Sequence, residues 1–73
     1  MSVVIEYQVI GEERLHCAAC EARIGSALLR LPGVRNVQAS VQSQQISVTL
    51  DSAQVSPEQV RARLQQLGYQ VAQ

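Results

Sequence analysis

At the start of the chain apolar residues fall on every second position. Val3, Ile5, Tyr7 and Val9 alternate with Val4, Glu6 and Gln8. A period of two sends one set of side chains to each face of a strand, so this stretch predicts a β-strand with one buried face. Gly11-Glu12-Glu13-Arg14 then breaks the alternation as a loop or bulge, while Leu15 keeps the parity of the buried set and is expected back in the core. From Cys20 the period lengthens. Cys20, Ile24, Ala27, Leu28 and Leu31 form one stripe at helical spacing, and Glu21, Arg23, Ser26 and Arg30 face elsewhere. The spacing predicts a helix that begins near Ala18 and ends by Leu31, because Pro32-Gly33 is a strong stop. Gly25 lies inside it, where glycine costs roughly 1 kcal/mol against alanine. Close packing against a neighbour is the expected compensation.

The period of two returns after the stop. Val34, then Val37, Ala39 and Val41, alternate with Gln38, Ser40 and Gln42, and Ile46, Val48 and Leu50 alternate with Ser47, Thr49 and Asp51. The short polar link Gln42-Ser43-Gln44-Gln45 implies an antiparallel hairpin. It lacks Asn-Gly, so a loop of about three to five residues is expected. The second helix carries its own start signal: Ser56 as N-cap, Pro57 at the first helical position, and Gln59 to complete a capping box. Val55 and Val60 have the spacing of a hydrophobic staple, and Val60, Leu64 and Leu67 make the buried stripe. Gly68 is placed to end the helix in a left-handed conformation, and Tyr69 and Val71 begin a short final strand. The order β-α-β-β-α-β predicts an α+β, ferredoxin-like fold: a four-stranded antiparallel sheet with both helices on one face. The pattern occupies nearly all of the chain, which predicts a single domain over residues 1–73.

Composition narrows the function. The chain has 73 residues, six Arg and no Lys, six acidic residues, zero formal net charge and two tyrosines as its aromatics. Affinity for nucleic acid comes mainly from basic side chains and, for single strands, from aromatic stacking, so no nucleic-acid partner is expected. No run approaches the length of a membrane span, and the N-terminus has neither a basic nor a continuous apolar signal region. A cytoplasmic protein with no direct membrane insertion is therefore expected. The many glutamines fall at positions read as solvent-facing, as a neutral solubilising surface, and Arg23, Arg30, Glu12, Glu13 and Glu21 read as ordinary solvated charges.

The chemistry concentrates in His16-Cys17-Ala18-Ala19-Cys20. A secreted domain of this size usually carries several half-cystines, and one CxxC cannot staple distant parts of a chain. A closed structural zinc site needs four N or S ligands, more than two thiolates and one imidazole provide. Two soft thiolates suit a soft ion of low coordination number, with Cu(I) the leading candidate.

With these residues in place, the sequence resembles the heavy-metal-associated domain family, found in small copper chaperones and in the N-terminal regions of P-type metal ATPases. The resemblance covers about residues 3–72. It rests on Leu15-His16-Cys17-Ala18-Ala19-Cys20, Leu31-Pro32-Gly33-Val34, the strands Val37–Val41 and Ile46–Leu50, and Leu67-Gly68-Tyr69. The family usually has Gly-Met-Thr before the first cysteine, whereas this chain has Arg14-Leu15-His16, and residues Gly11 to Arg14 lengthen the approach to the loop. The resemblance implies that Cys17 lies on a loop and Cys20 in the first turn of the helix. There the positive end of the helix and its unpaired N–H groups favour thiolate, the ligating form. It also implies metal transfer by ligand exchange, through attack of a partner thiol on a two-coordinate ion. The partner would be a metal-transporting P-type ATPase or another thiol metal-binding domain.

The resemblance further places Tyr69 beneath the metal loop, where it excludes water and tunes thiolate basicity or fills the core. His16 is read as an extra ligand, a neighbour of the ligands, or a bystander, and its imidazole would more readily complete a site shared between two molecules. A monomer is expected, with a metal-bridged dimer as the alternative. Zn(II), Cd(II) and Hg(II) are the other ions to test. A free-standing chaperone suits the chain's ends, and the alternative is the metal-binding domain of such an ATPase. No enzyme is expected. A thioredoxin-like oxidoreductase would be longer and would carry Trp before its motif, and an acylphosphatase-like enzyme would leave the CxxC unexplained.

Overall fold

A computed structural model of the chain describes residues 2–12, 14–16 and 18–72. The elements run β1 (Ser2–Ile10), α1 (Ala18–Leu29), β2 (Val34–Ser40), β3 (Gln45–Asp51), α2 (Pro57–Gln66) and β4 (Gln70–Ala72). The strands form one sheet in the order β2-β3-β1-β4, and every neighbouring pair is antiparallel. This is the ferredoxin-like arrangement expected from the alternation of periods.

The core is where the patterning put it. Tyr7, Val9, Leu15, Ile24, Leu28, Val34, Ile46, Val48, Leu50, Val55, Val60, Leu64 and Val71 are buried. The alternation in β1 fades at its start, where Val3 is 37% exposed and Ile5 half-buried. Val34 and Val37 fit one sheet face although three positions apart. A register shift between Val34 and Asn36 leaves Arg35 as an extra residue, a β-bulge that restores the parity.

The end of the sheet holding the start of α2 is closed by a local helix cap and by contacts from β1, β2 and the Pro-Gly turn. Ser56 caps α2 by accepting from the Gln59 N–H (3.2 Å), and Gln59 Oε1 accepts from the Ser56 N–H (2.8 Å). Gly33 turns the chain at φ +94°, and a Cβ there would lie 2.7 Å from Gln54 Cβ, so the Pro-Gly stop needs glycine on two counts. Asp51 accepts from the Ala53 N–H (3.0 Å) and lies 3.6 Å from Arg35. The Ala53 hydrogen bond holds its carboxyl below the usual carboxylate range, with Arg35 a smaller contributor. Tyr7 is buried, and its hydroxyl donates to the Pro57 carbonyl at 2.6 Å. Burial raises the Tyr7 phenol above its ordinary pKa, an effect partly offset by Arg61.

At the other end of α2, Gly68 has φ +101°. Its N–H donates to the Gln65 carbonyl, and the Tyr69 N–H to that of Leu64, both at 3.0 Å. This double bond pattern is a Schellman motif. Tyr69 therefore belongs to the helix cap, and the last strand starts one residue later than its alternation suggested.

Two further expectations are corrected at this point. Gly25 is not compensated by close packing: a Cβ there would meet nothing within 4 Å, because this side of α1 faces an open groove beside β2. The glutamines are not uniformly a solvated surface, since Gln44 is half-buried and bonded on every side, as described next.

Candidate metal site

Four segments meet at one end of the sheet: the exit of β1, the start of α1, the β2–β3 turn and the entry to β4. The register fixes this meeting. Gln8 of β1 pairs with Gln45 of β3, which pairs with Ser40 of β2, so the turn of residues 41–44 lies beside the last residues of β1. Ile10 pairs with Gln70, which brings Tyr69 to the same end. Gly11 turns the chain away at φ +86°, and Arg14 reaches back to donate to the Val9 carbonyl at 3.2 Å.

Leu15 returns to the core as its parity suggested and is 2% exposed. Its backbone is held by the side chain of Gln44. The Leu15 N–H donates to Gln44 Oε1 at 2.7 Å, and Gln44 Nε2 donates to the Leu15 carbonyl at 2.9 Å and to the Val41 carbonyl at 2.6 Å. The amide orientation is dictated by its partners, since an oxygen faces the one N–H and a nitrogen faces two carbonyls. The Gln44 carbonyl in turn accepts from the Val9 N–H at 2.8 Å and from Gln8 Nε2 at 3.1 Å. Gln44 sits at φ +57°, and it is the one non-glycine residue with positive φ among the described residues. A side chain in that region costs on the order of 1–2 kcal/mol, so its hydrogen bonds offset a local strain.

The far side of the motif is tied to the same turn. Glu21, in the first turn of α1, accepts from the Val41 N–H through Oε2 at 2.8 Å and is half-buried. It is thus a structural contact, which corrects its reading as a solvated charge. A carboxylate near a helix N-terminus is also favoured by the helix dipole. Residues 16–20 therefore run between two ties, both made to the turn of residues 41–44.

Cys20 lies in the first turn of α1 and is half-buried, packed against the core. Cys17 and Glu13 lie outside the described residues. His16 is exposed, and Tyr69 is half-buried against the core at the entry to β4. Among the described residues no three His, Cys, Asp or Glu side chains gather as a metal cluster. Arg23 and Arg30 are exposed and, with Arg63 of α2, line a cleft of 260 Å³ between the helices. No helix of the described residues is long and apolar enough to cross a membrane.

Sequence reasoning missed Gln44 and Glu21. Their types are ordinary for surface positions, and their partners stand 29 and 20 residues away. The one available signal for Gln44 was its place in a tight turn lacking glycine.

Comparison with known proteins adds independent findings. The model of the heavy-metal-associated domain matches residues 13–70. The chain is 33% identical to the copper chaperone CopZ of Staphylococcus haemolyticus over 64 residues, covering 88% of this chain and 94% of that protein. It is 34% identical over 67 residues to a copper-exporting P-type ATPase of Bacillus subtilis, covering 92% of this chain and 8% of the ATPase. Among solved structures, a CopZ metallochaperone superposes with a TM-score of 0.86 at 26% identity, over 96% of this chain and all of that one.

Proposed function

The chain belongs to the heavy-metal-associated domain family, and on that premise we propose that it carries Cu(I) on the thiolates of Cys17 and Cys20 and passes it to a second thiol site. The observation that carries this reading is the placement of the motif. One end follows a clamped core residue, Leu15, and the other lies in the first turn of α1, where the positive end of the helix favours thiolate sulfur. The donor set fits the cargo: two soft thiolates match a soft ion of low coordination number and leave a four-ligand zinc shell incomplete.

Transfer follows from that low coordination. A partner thiolate forms a bond to Cu(I), giving a three-coordinate ion, and one of the two original sulfur bonds then breaks. A second exchange completes the move. Copper remains Cu(I) throughout, each sulfur–copper bond lost is replaced by another, and no substrate is chemically converted. The partner is a metal-transporting P-type ATPase or another thiol metal-binding domain, met in the cytoplasm. The arginine cleft begins about one turn from Cys20, a position suited to an acidic patch on that partner. With zero formal net charge overall, steering is weak and the rate of transfer should depend only modestly on salt. The chain acts as a single domain over residues 1–73. A copper chaperone is the reading preferred here, and the alternative is a metal-binding domain of such an ATPase, since the chain is similar to both over most of its length.

The test is anaerobic competition for Cu(I), and in parallel for Zn(II), against chromophoric chelators. Wild type should retain one Cu(I), Cys17→Ser with Cys20→Ser should retain none, and His16→Ala should stay close to wild type. Unchanged Cu(I) retention in the double variant would overturn the reading, as would a wild type that holds zinc but releases Cu(I).

A further inference from the structure

We propose that Gln44 is the positioning residue of the metal loop, acting through the Leu15 backbone two residues before Cys17. This rests on the Cu(I)-carrying reading above and extends it to a residue that touches no metal. Three observations converge. Gln44 satisfies both backbone groups of Leu15, at 2.7 and 2.9 Å, so it fixes the peptide planes on either side of that residue. It does so from a turn held in place by Val9, Gln8 and Ser40, whose carbonyl accepts from the Gln44 N–H at 2.9 Å. It also occupies a left-handed backbone conformation that glycine would adopt at no steric cost, so the side chain has a role that outweighs the strain.

The Glu21–Val41 bond ties the other flank of the motif to the same turn. The turn of residues 41–44 therefore acts as a gauge. With both flanks fixed to one short segment, the span available to residues 16–20 is set before any ion arrives. Partners that orient the ligands of a metal without touching it typically change affinity by about 10–100-fold when removed. A loop held through one backbone contact belongs at the lower end of that range.

Glycine gives a clean variant, because Gln44→Gly keeps the turn conformation comfortable while deleting the clamp. Gln44→Glu tests polarity. A carboxylate still accepts from the Leu15 N–H, but it turns an oxygen without a proton toward the Leu15 and Val41 carbonyls. Ser56→Ala weakens the α2 cap at the other end of the molecule and serves as the control for stability alone. Each protein is examined for Cu(I) affinity by anaerobic chelator competition, for the rate of Cu(I) release to the chelator, and for exchange of the Leu15 amide hydrogen in the metal-free form.

Gln44→Gly should bind Cu(I) about ten-fold more weakly, release it faster in proportion, and exchange the Leu15 amide faster. Gln44→Glu should be at least as impaired. Ser56→Ala should lower the unfolding midpoint with Cu(I) affinity unchanged. If Gln44→Gly matches wild type in affinity and release, the positioning role is wrong while the copper reading stands. A loss of affinity in Ser56→Ala equal to that in Gln44→Gly would also overturn it, since the effect would then be general destabilisation. A wild type that protects the Leu15 amide yet retains no Cu(I) would instead overturn the copper reading and the metal role of Gln44 together.

Discussion

Helix α2 begins on hydrogen bonds made within its own first turn, between Ser56 and Gln59. Helix α1 begins instead beside a segment whose ties reach 29 residues to Gln44 and 20 residues to Val41. A helix leaves its first N–H groups unpaired, and the surroundings of the two starts differ. A capping box consumes those donors and makes the helix end inert. At α1 the support comes from other elements, through the Glu21–Val41 and Leu15–Gln44 contacts. On the proposed function, the α2 cap and the metal loop then stand at opposite ends of a small sheet.

The strongest way to break that division is at Leu15, where core and loop coincide. Leu15→Ala removes a side chain that is 2% exposed and should cost about 2–5 kcal/mol in urea unfolding, with Cu(I) affinity falling as well. A loss of stability with unchanged affinity would mean that the loop does not depend on its anchor. Next in size, Ser56→Ala should cost about 1 kcal/mol in the same measurement, and the division requires that this loss leave metal binding alone. Gly25→Ala should move the other way. With nothing within 4 Å of the added methyl, helix propensity alone acts, and stability should rise by up to about 1 kcal/mol. A fall would mean that the groove beside β2 has less room than its open lining indicates.

The smallest effect concerns alkaline pH. Tyr7 has a folded pKa raised above its unfolded value, so its contribution is fully present below about pH 10 and is lost as pH rises through the raised folded value. Unfolding midpoints measured upward from pH 9 should decline in wild type and stay flatter in Tyr7→Phe, once the latter's lost hydrogen bond to Pro57 is allowed for.

What could be read from the sequence follows the same line as the two helix starts. The capping box, the Pro-Gly stop, the left-handed Gly68 and the alternation in β3 are contests between near neighbours, and each came out as expected, while that of β1 held only at Tyr7 and Val9. Leu15 also returns to the core as expected, as the apolar residue between the polar 11–14 segment and the motif. Of the motif, the expected place of Cys20 in the first turn of α1 is met. The support of the motif was not legible. A glutamine in a turn looks alike whether it faces water or grips a backbone on another element, and only the register of β1, β2 and β3 decides which. Gly25 failed for a related reason: whether a helix face meets a neighbour depends on what the tertiary fold sets opposite it.

The long reach of the Leu15–Gln44 contact has a consequence in time. During synthesis the two cysteines leave the ribosome well before the residue that holds their loop, which stands 29 positions beyond Leu15. Until the hairpin has closed against β1, a growing chain displays both thiols but has no frame to set their spacing. On the proposed function, a finished seat for the ion therefore requires that three of the four strands have already come together, so the seat forms late in folding.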